Sequence, residues 1–163
     1  MQIWGDIVKE ILWVIIVVLI ALVSYPLHLF IKMKKNKKRI MKVLNEIYLQ
    51  VDLKHNLLKQ YLEINKDVIE EEKFLEMESI LTSYDEKKAK NVKYLKKCNE
   101  IYSEYMFSFD DSLMKKTCKE SNEQIKSIKD YYNVLVIDYN SYKSNKINSI
   151  LSKAMFINDE SMF

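Results

Sequence analysis

Glycine and proline are almost missing: the 163-residue chain has one of each, Gly5 and Pro26. Average usage would give about 20 of the two together. Phosphate-cradling loops, dinucleotide fingerprints and nucleophile elbows need glycine where the backbone turns sharply or approaches a ligand, so these are excluded. Sandwiches and barrels need many turn residues and go the same way. Histidine is nearly as scarce, with His28 and His55 only. One imidazole outside the apolar N-terminal run leaves little material for general-base or nucleophilic catalysis. Cysteine is limited to Cys98 and Cys118, whose spacing fits no zinc pattern. Both read as reduced, small core hydrophobes of a cytoplasmic domain. What remains is an all-α chain of long helices joined by few turns, with no cofactor expected.

Charge is missing where it would be most costly in a membrane. Residues 11–31 contain no Asp, Glu, Lys or Arg and open with ILWVIIVVLIALV. As a helix this run reaches ~30 Å, about the hydrocarbon thickness of a bilayer. Trp4, Trp13 and Tyr25 have the placement of interfacial belts, and Pro26 and His28 fall in the last turns. A cleaved signal peptide would carry its cations first and a small-residue site afterwards. Here Asp6, Lys9 and Glu10 precede the run and the cations follow it.

Those cations form a collar over 32–42: Lys32, Lys34, Lys35, Lys37, Lys38, Arg39 and Lys42, with no acid among them. From Val43 onward 18 Lys face 21 Asp plus Glu, so the net +3 of the chain averages a basic collar and a mildly acidic body. The positive-inside rule then places the N-terminus outside and everything after the collar in the cytoplasm. The expected organisation is a short segment 1–10, a transmembrane helix 11–31, the juxtamembrane collar 32–42 and a helical domain 43–163.

Within that domain Ile40, Leu44, Ile47, Val51, Leu58 and Tyr61 advance by helical steps. Leu57, Tyr61, Ile64, Val68 and Leu75 form a second stripe. With no Pro between them, the membrane helix can run straight into this one. Ser83 with Glu86 has capping-box spacing and predicts a second helix running to about Phe107. Ser108, Asp110 and Asp111 offer the next N-cap, before a third helix carrying Leu113, Met114, Cys118, Ile125, Ile128, Tyr132, Leu135, Val136 and Tyr139. Ser144–Asn145 or Asn148 breaks the chain, and Ile147, Ile150, Leu151, Ala154 and Met155 make a short closing helix.

Asp52 and His55 sit i, i+3 on one helix, as in half of a di-iron site, but no second such pair exists in the chain. Glu70, Glu71 and Glu72 point in different directions around a helix and read as a solvated face. The most pointed feature is the repeat Tyr132-Asn133 and Tyr139-Asn140, seven residues apart on one helical face. It reads either as buried pairs that set helix register or as a polar groove for a peptide or partner helix.

These dipeptides carry a family resemblance. NEQIKSIKDYYNVLVIDYN, residues 122–140, resembles the E-N-x-I…Y-N…Y-N pattern of the LemA family, with Glu123 on the family Asn. Ile150-Leu151 and Phe163 fall on its terminal apolar pair and closing aromatic. Lys54-His55-Asn56-Leu57-Leu58 followed by Leu62-Glu63 is similar to its R-H-D-L-I-P-x-L-V-E, and Glu72-Lys73 and Glu100-Ile101-Tyr102 fit further stretches. Lys59, Ser103 and Ile147 stand at family Pro positions, and Asp67 and Lys153 where Gly is usual. The resemblance implies a membrane helix followed by an elongated antiparallel bundle of three long helices plus a short C-terminal one, with no catalytic activity. It leaves Lys54, His55, Asn56, Tyr132, Asn133, Tyr139 and Asn140 as candidates for a structural or partner-binding role.

The sequence therefore leads to a bacterial, non-enzymatic, single-pass cell-membrane protein. Its expected partners are the lipid bilayer, anionic headgroups at the collar, and another protein or a second copy at the helical scaffold. No nucleic acid is expected. The alternative is an anionic-lipid or nucleic-acid binding module acting through the collar.

Overall fold

The computed structural model describes residues 2–85, 88 and 91–163, with side chains from residue 9 onward. The Trp4 side chain and Glu86 of the expected capping box lie outside the described residues. Every regular element among them is a helix: α1 (Gln2–Ile64), α2 (Glu71–Thr82), α3 (Val92–Ser108), α4 (Ser112–Ser144) and α5 (Lys146–Ala154). The chain divides into two compact units. One holds the residues up to Lys38 with Tyr139–Asp159, the other Arg39–Asp138 with Glu160–Phe163.

In α1 the apolar run and the first stripe share one uninterrupted helix of 63 residues, with Pro26 inside it. Among the described residues this is the one helix long and apolar enough to cross a membrane, with a window of mean hydropathy 2.7. Its apolar side chains from Ile11 to Leu27 are largely exposed, and all seven collar cations are exposed as well. Leu29 and Met33 are instead buried within the first unit, so the C-terminal end of the run is covered by protein.

The second unit closes on Ile40, Leu44, Ile47, Val51, Leu58 and Leu62 of α1. Met77 and Leu81 of α2, and Leu95, Cys98, Tyr102 and Met106 of α3, are buried with them. From α4 come Met114, Cys118, Ser121, Ile125, Tyr132 and Val136, in steps of three, four and seven. The second stripe reaches the core only in part: Leu57 and Tyr61 are half-buried, Tyr61 against Phe109, while Ile64, Val68 and Leu75 are exposed. Helix α1 stops at Ile64, so helical phase is lost before Val68 and Leu75.

That stop uses an asparagine. Asn65 Nδ2 donates to the Tyr61 carbonyl at 2.9 Å, while the Val68 and Ile69 amides both donate to the Asn65 carbonyl. The side chain offers the backbone an alternative to the helical ladder.

The predicted helix start at Ser83 is also corrected. Ser83 ends α2, its Oγ donating back to the Ile80 carbonyl at 2.7 Å. The start of α3 belongs to Asn91, whose Oδ1 accepts from the Lys93 and Tyr94 amides. An Asn N-cap satisfies the same orphan donors as Ser. The other two boundaries agree with the sequence. Asp111 Oδ1 accepts from the Leu113 and Met114 amides at the head of α4, and Asn145 precedes α5.

Candidate functional site

Lys54 occupies a core position. On α1 it falls three residues after Val51 and four before Leu58, on the buried stripe, and it is 0% exposed. Charged side chains are almost never fully buried unless they are paired. The pairing here is with neutral oxygens: Nζ donates to Asn99 Oδ1 at 2.7 Å, Ser103 Oγ at 2.9 Å and Asn122 Oδ1 at 2.6 Å. An ammonium has three donors, and each finds an acceptor. Ser103 Oγ donates in turn to the Asn99 carbonyl at 2.6 Å, and Asn122 Nδ2 lies 3.6 Å from Cys118 Sγ. The cluster ties α1, α3 and α4 together inside the second unit. Burial lowers the Lys54 pKa to about 8, against the opposing influence of Cys118, because the charged form is the one that loses most solvation. At neutral pH the ammonium is therefore still charged. Its side chain is closed off from solvent.

His55 faces a different neighbourhood. Its Nδ1 lies 3.1 Å from the Tyr102 hydroxyl, and its ring stacks on Tyr84 with centroids 4.5 Å apart. Tyr84 stacks in turn on Tyr94, whose hydroxyl accepts from the Asp85 amide at 2.7 Å. Burial pushes the Tyr84 and Tyr102 hydroxyls well above the ordinary phenol range and raises the Cys98 thiol. Asn56 points outward and donates to Asp52 Oδ2 at 3.1 Å on the same helix. Lys54, His55 and Asn56 thus form no single site. Among the described residues no group of His, Cys, Asp or Glu has the makings of a metal site.

The Tyr-Asn repeat on α4 receives the chain's own last residues. In the second unit the Tyr132 hydroxyl donates to the Ser161 carbonyl at 2.9 Å. Asn133 Oδ1 accepts from the Phe163 amide, also at 2.9 Å. In the first unit the Tyr139 hydroxyl donates to the Asn158 carbonyl at 3.4 Å, and Lys143 pairs with Asp159 at 2.6 Å. Both tyrosines are buried, while Asn133 and Asn140 are half-buried. Replacing Asn133 with Leu removes the acceptor for the last amide, at a net cost of about 1 kcal/mol. The Phe163 amide should then exchange its hydrogen about fivefold faster, with the helix content unchanged. An unchanged exchange rate would show that Asn133 does not hold this segment.

In the collar, Lys32 Nζ lies 3.9 Å from the centroid of the Tyr142 ring, a cation–π contact inside the first unit. The collar cations are otherwise solvent-facing.

Sequence reasoning did not identify Asn99, Ser103 and Asn122, the partners of Lys54, nor the tail that meets Tyr132 and Asn133. One signal was present: a cation at the position where the α1 stripe demands an apolar side chain. Set beside known proteins, the chain matches no family model, no curated protein and no solved structure.

Proposed function

We propose that this is a non-enzymatic, single-pass membrane protein whose helical body is an antiparallel bundle serving as a cytoplasmic scaffold for another protein or a second copy. The observation that carries this reading is the pairing of an uncharged run over 11–31, largely exposed up to Leu27, with a collar of seven exposed cations immediately after it. In water, that many exposed Val, Leu and Ile side chains would drive association. In a bilayer they are solvated, and the collar lies where anionic headgroups attract cations at ~1 kcal/mol each. The buried Lys54 cluster and the His55–tyrosine stack tie helices of the second unit to one another, which fits a scaffold. The LemA resemblance points the same way, since that family implies an anchored helical body without an active site.

Orientation follows from the positive-inside rule. Leu113 is exposed at the start of α4, so Leu113→Cys offers an accessible thiol while Cys98 and Cys118 stay buried. A membrane-impermeant maleimide should label that thiol only after the membrane is opened. Labelling on intact cells would overturn the topology. Cross-linking on native membranes then reads out the scaffold: a product containing a second copy or another protein supports it, and an uncross-linked monomer does not.

A further inference from the structure

Helix α5 is inside out. Ile147, Ile150, Leu151 and Ala154 recur at i, i+3, i+4 and i+7 and make one apolar face, with Asn148 and Ser152 opposite. A helix closing a water-soluble core turns the apolar face inward. Here Asn148 and Ser152 are the buried residues, at 4% and 0% exposure, while Ile147 and Ile150 are 60% and 71% exposed.

The polar face is held by hydrogen bonds within the first unit. Asn148 Oδ1 accepts from the Tyr25 hydroxyl at 2.8 Å, and its Nδ2 donates to the Tyr142 carbonyl at 2.8 Å. Ser152 Oγ donates to the Asn148 carbonyl at 2.6 Å. The outward apolar face is therefore built in.

The helix ends the same way. The Phe156 amide donates to the Lys153 carbonyl and the Ile157 amide to the Ser152 carbonyl, the two bonds of a Schellman cap. That cap needs one left-handed residue, usually Gly, because a Cβ there crowds the following carbonyl. Here Phe156 takes it, at φ 56, with 89% of the residue exposed. A bulky ring in a glycine position, turned outward, adds a third exposed apolar group to the two isoleucines.

What covers this face is indicated by its neighbour. Val18, Leu22 and Tyr25 of α1 line, with Ile147, Ile150 and Leu151, an apolar groove of about 470 Å³. The exposed surface of α5 is thus continuous with the exposed surface of the apolar run. From Ile31, the end of that run, Tyr25 lies six positions back and Val18 thirteen, ~9 and ~20 Å of helix rise. The groove therefore starts at the depth to which interfacial helices bury their apolar face, ~5–10 Å below the headgroups, and continues deeper along the run. Lys146 and Lys153 are exposed, and their long stems can carry the charges toward water.

We propose that α5 and Phe156 form a second membrane contact beside the transmembrane run, with Ile147, Ile150 and Phe156 taking lipid acyl chains. This inference rests on the membrane-span reading.

Tryptophan quenching by bromines on lipid acyl chains tests it on the full-length chain in phosphatidylcholine–phosphatidylglycerol vesicles. With Trp4 and Trp13 both replaced by Phe, Ile150→Trp and Phe156→Trp each supply a single reporter. In a third protein, carrying only Trp4→Phe, Trp13 reports on the span. All three should lose about half their emission to bromines at carbons 6 and 7, relative to unbrominated lipid. Quenching of Trp13 without quenching of either α5 reporter would overturn the second contact and leave the span standing. No quenching at any of the three would overturn both.

Discussion

Lys54→Met should destabilise the second unit by about 3 kcal/mol at pH 7, because it leaves three buried oxygens without their donor. Met nearly matches the length and volume of Lys, so packing is little changed. The loss falls on Asn99 Oδ1, Ser103 Oγ and Asn122 Oδ1, which now accept from Nζ at 2.6–2.9 Å. Each orphaned acceptor costs about 1–3 kcal/mol, partly offset because the charge no longer has to be desolvated. Cys98 and Cys118 are buried in the same unit and report its opening. Their labelling under native conditions should accelerate by about two decades, since 1.4 kcal/mol is a factor of ten. An unchanged rate would mean that the cluster contributes nothing to holding α1, α3 and α4 together.

The same residue gives this difference a pH dependence of definite sign. Burial lowers the Lys54 pKa from 10.5 to about 8. Between those values the unfolded chain carries the proton and the folded one does not, so stability rises with pH through that window. At 1.36 kcal/mol per pH unit the full rise is about 3 kcal/mol. Other groups oppose it. Burial raises the Cys98 thiol, the Tyr84 and Tyr102 hydroxyls, and Tyr132 up to about 12. Their contribution is fully present below the unfolded values and is lost as pH climbs above about 9 to 10. The difference between wild type and Lys54→Met removes these shared contributions. The ratio of labelling rates, taken at each pH, should therefore grow from pH 7.5 to 10.5. A ratio that stays flat or shrinks would contradict a desolvated Lys54.

Helical class, the α1 core stripe and two of the boundaries were legible in the chain because each rests on local chemistry. Ile40 to Leu58 repeat at helical spacing, Asp111 caps α4 through its own side chain, and Asn145 separates α4 from α5. The break at 65–70 was not, because it contains neither Gly nor Pro and turns on Asn65 bonding its own helix. Ser83 and Asn91 compete for one helix start, and side-chain chemistry alone ranks them about equally. The Lys54 cluster was half visible. The lysine breaks the stripe in plain sight, but Asn99, Ser103 and Asn122 lie 45 to 68 residues away and meet it only after packing. Helix α5 was legible as a short closing helix, but the outward direction of its apolar face was not. Periodicity identifies an apolar face without saying whether protein or lipid will cover it.

That distinction makes the apolar run the place for the second large effect. Val17→Asp with Ile20→Asp should abolish integral association with vesicles. Both side chains are exposed, so the substitutions remove no core packing. A carboxylate near the centre of a membrane helix costs about 2.5–3.5 kcal/mol on insertion scales, so the pair costs about 6. That is roughly four decades in partitioning. Flotation with pure phosphatidylcholine vesicles, where the collar has no anionic partner, should fall to background. With phosphatidylglycerol present, collar attraction of ~1 kcal/mol per cation can retain the protein at low salt, and high salt should release it. The converse variant, with the six collar lysines changed to Gln, should still float with neutral vesicles at any salt. Together the two variants assign binding to the run or to the collar. If the double Asp protein still floated with neutral lipid in high salt, residues 11–31 would not be the anchor. If the Gln variant were the one that failed there, the collar reading would replace it.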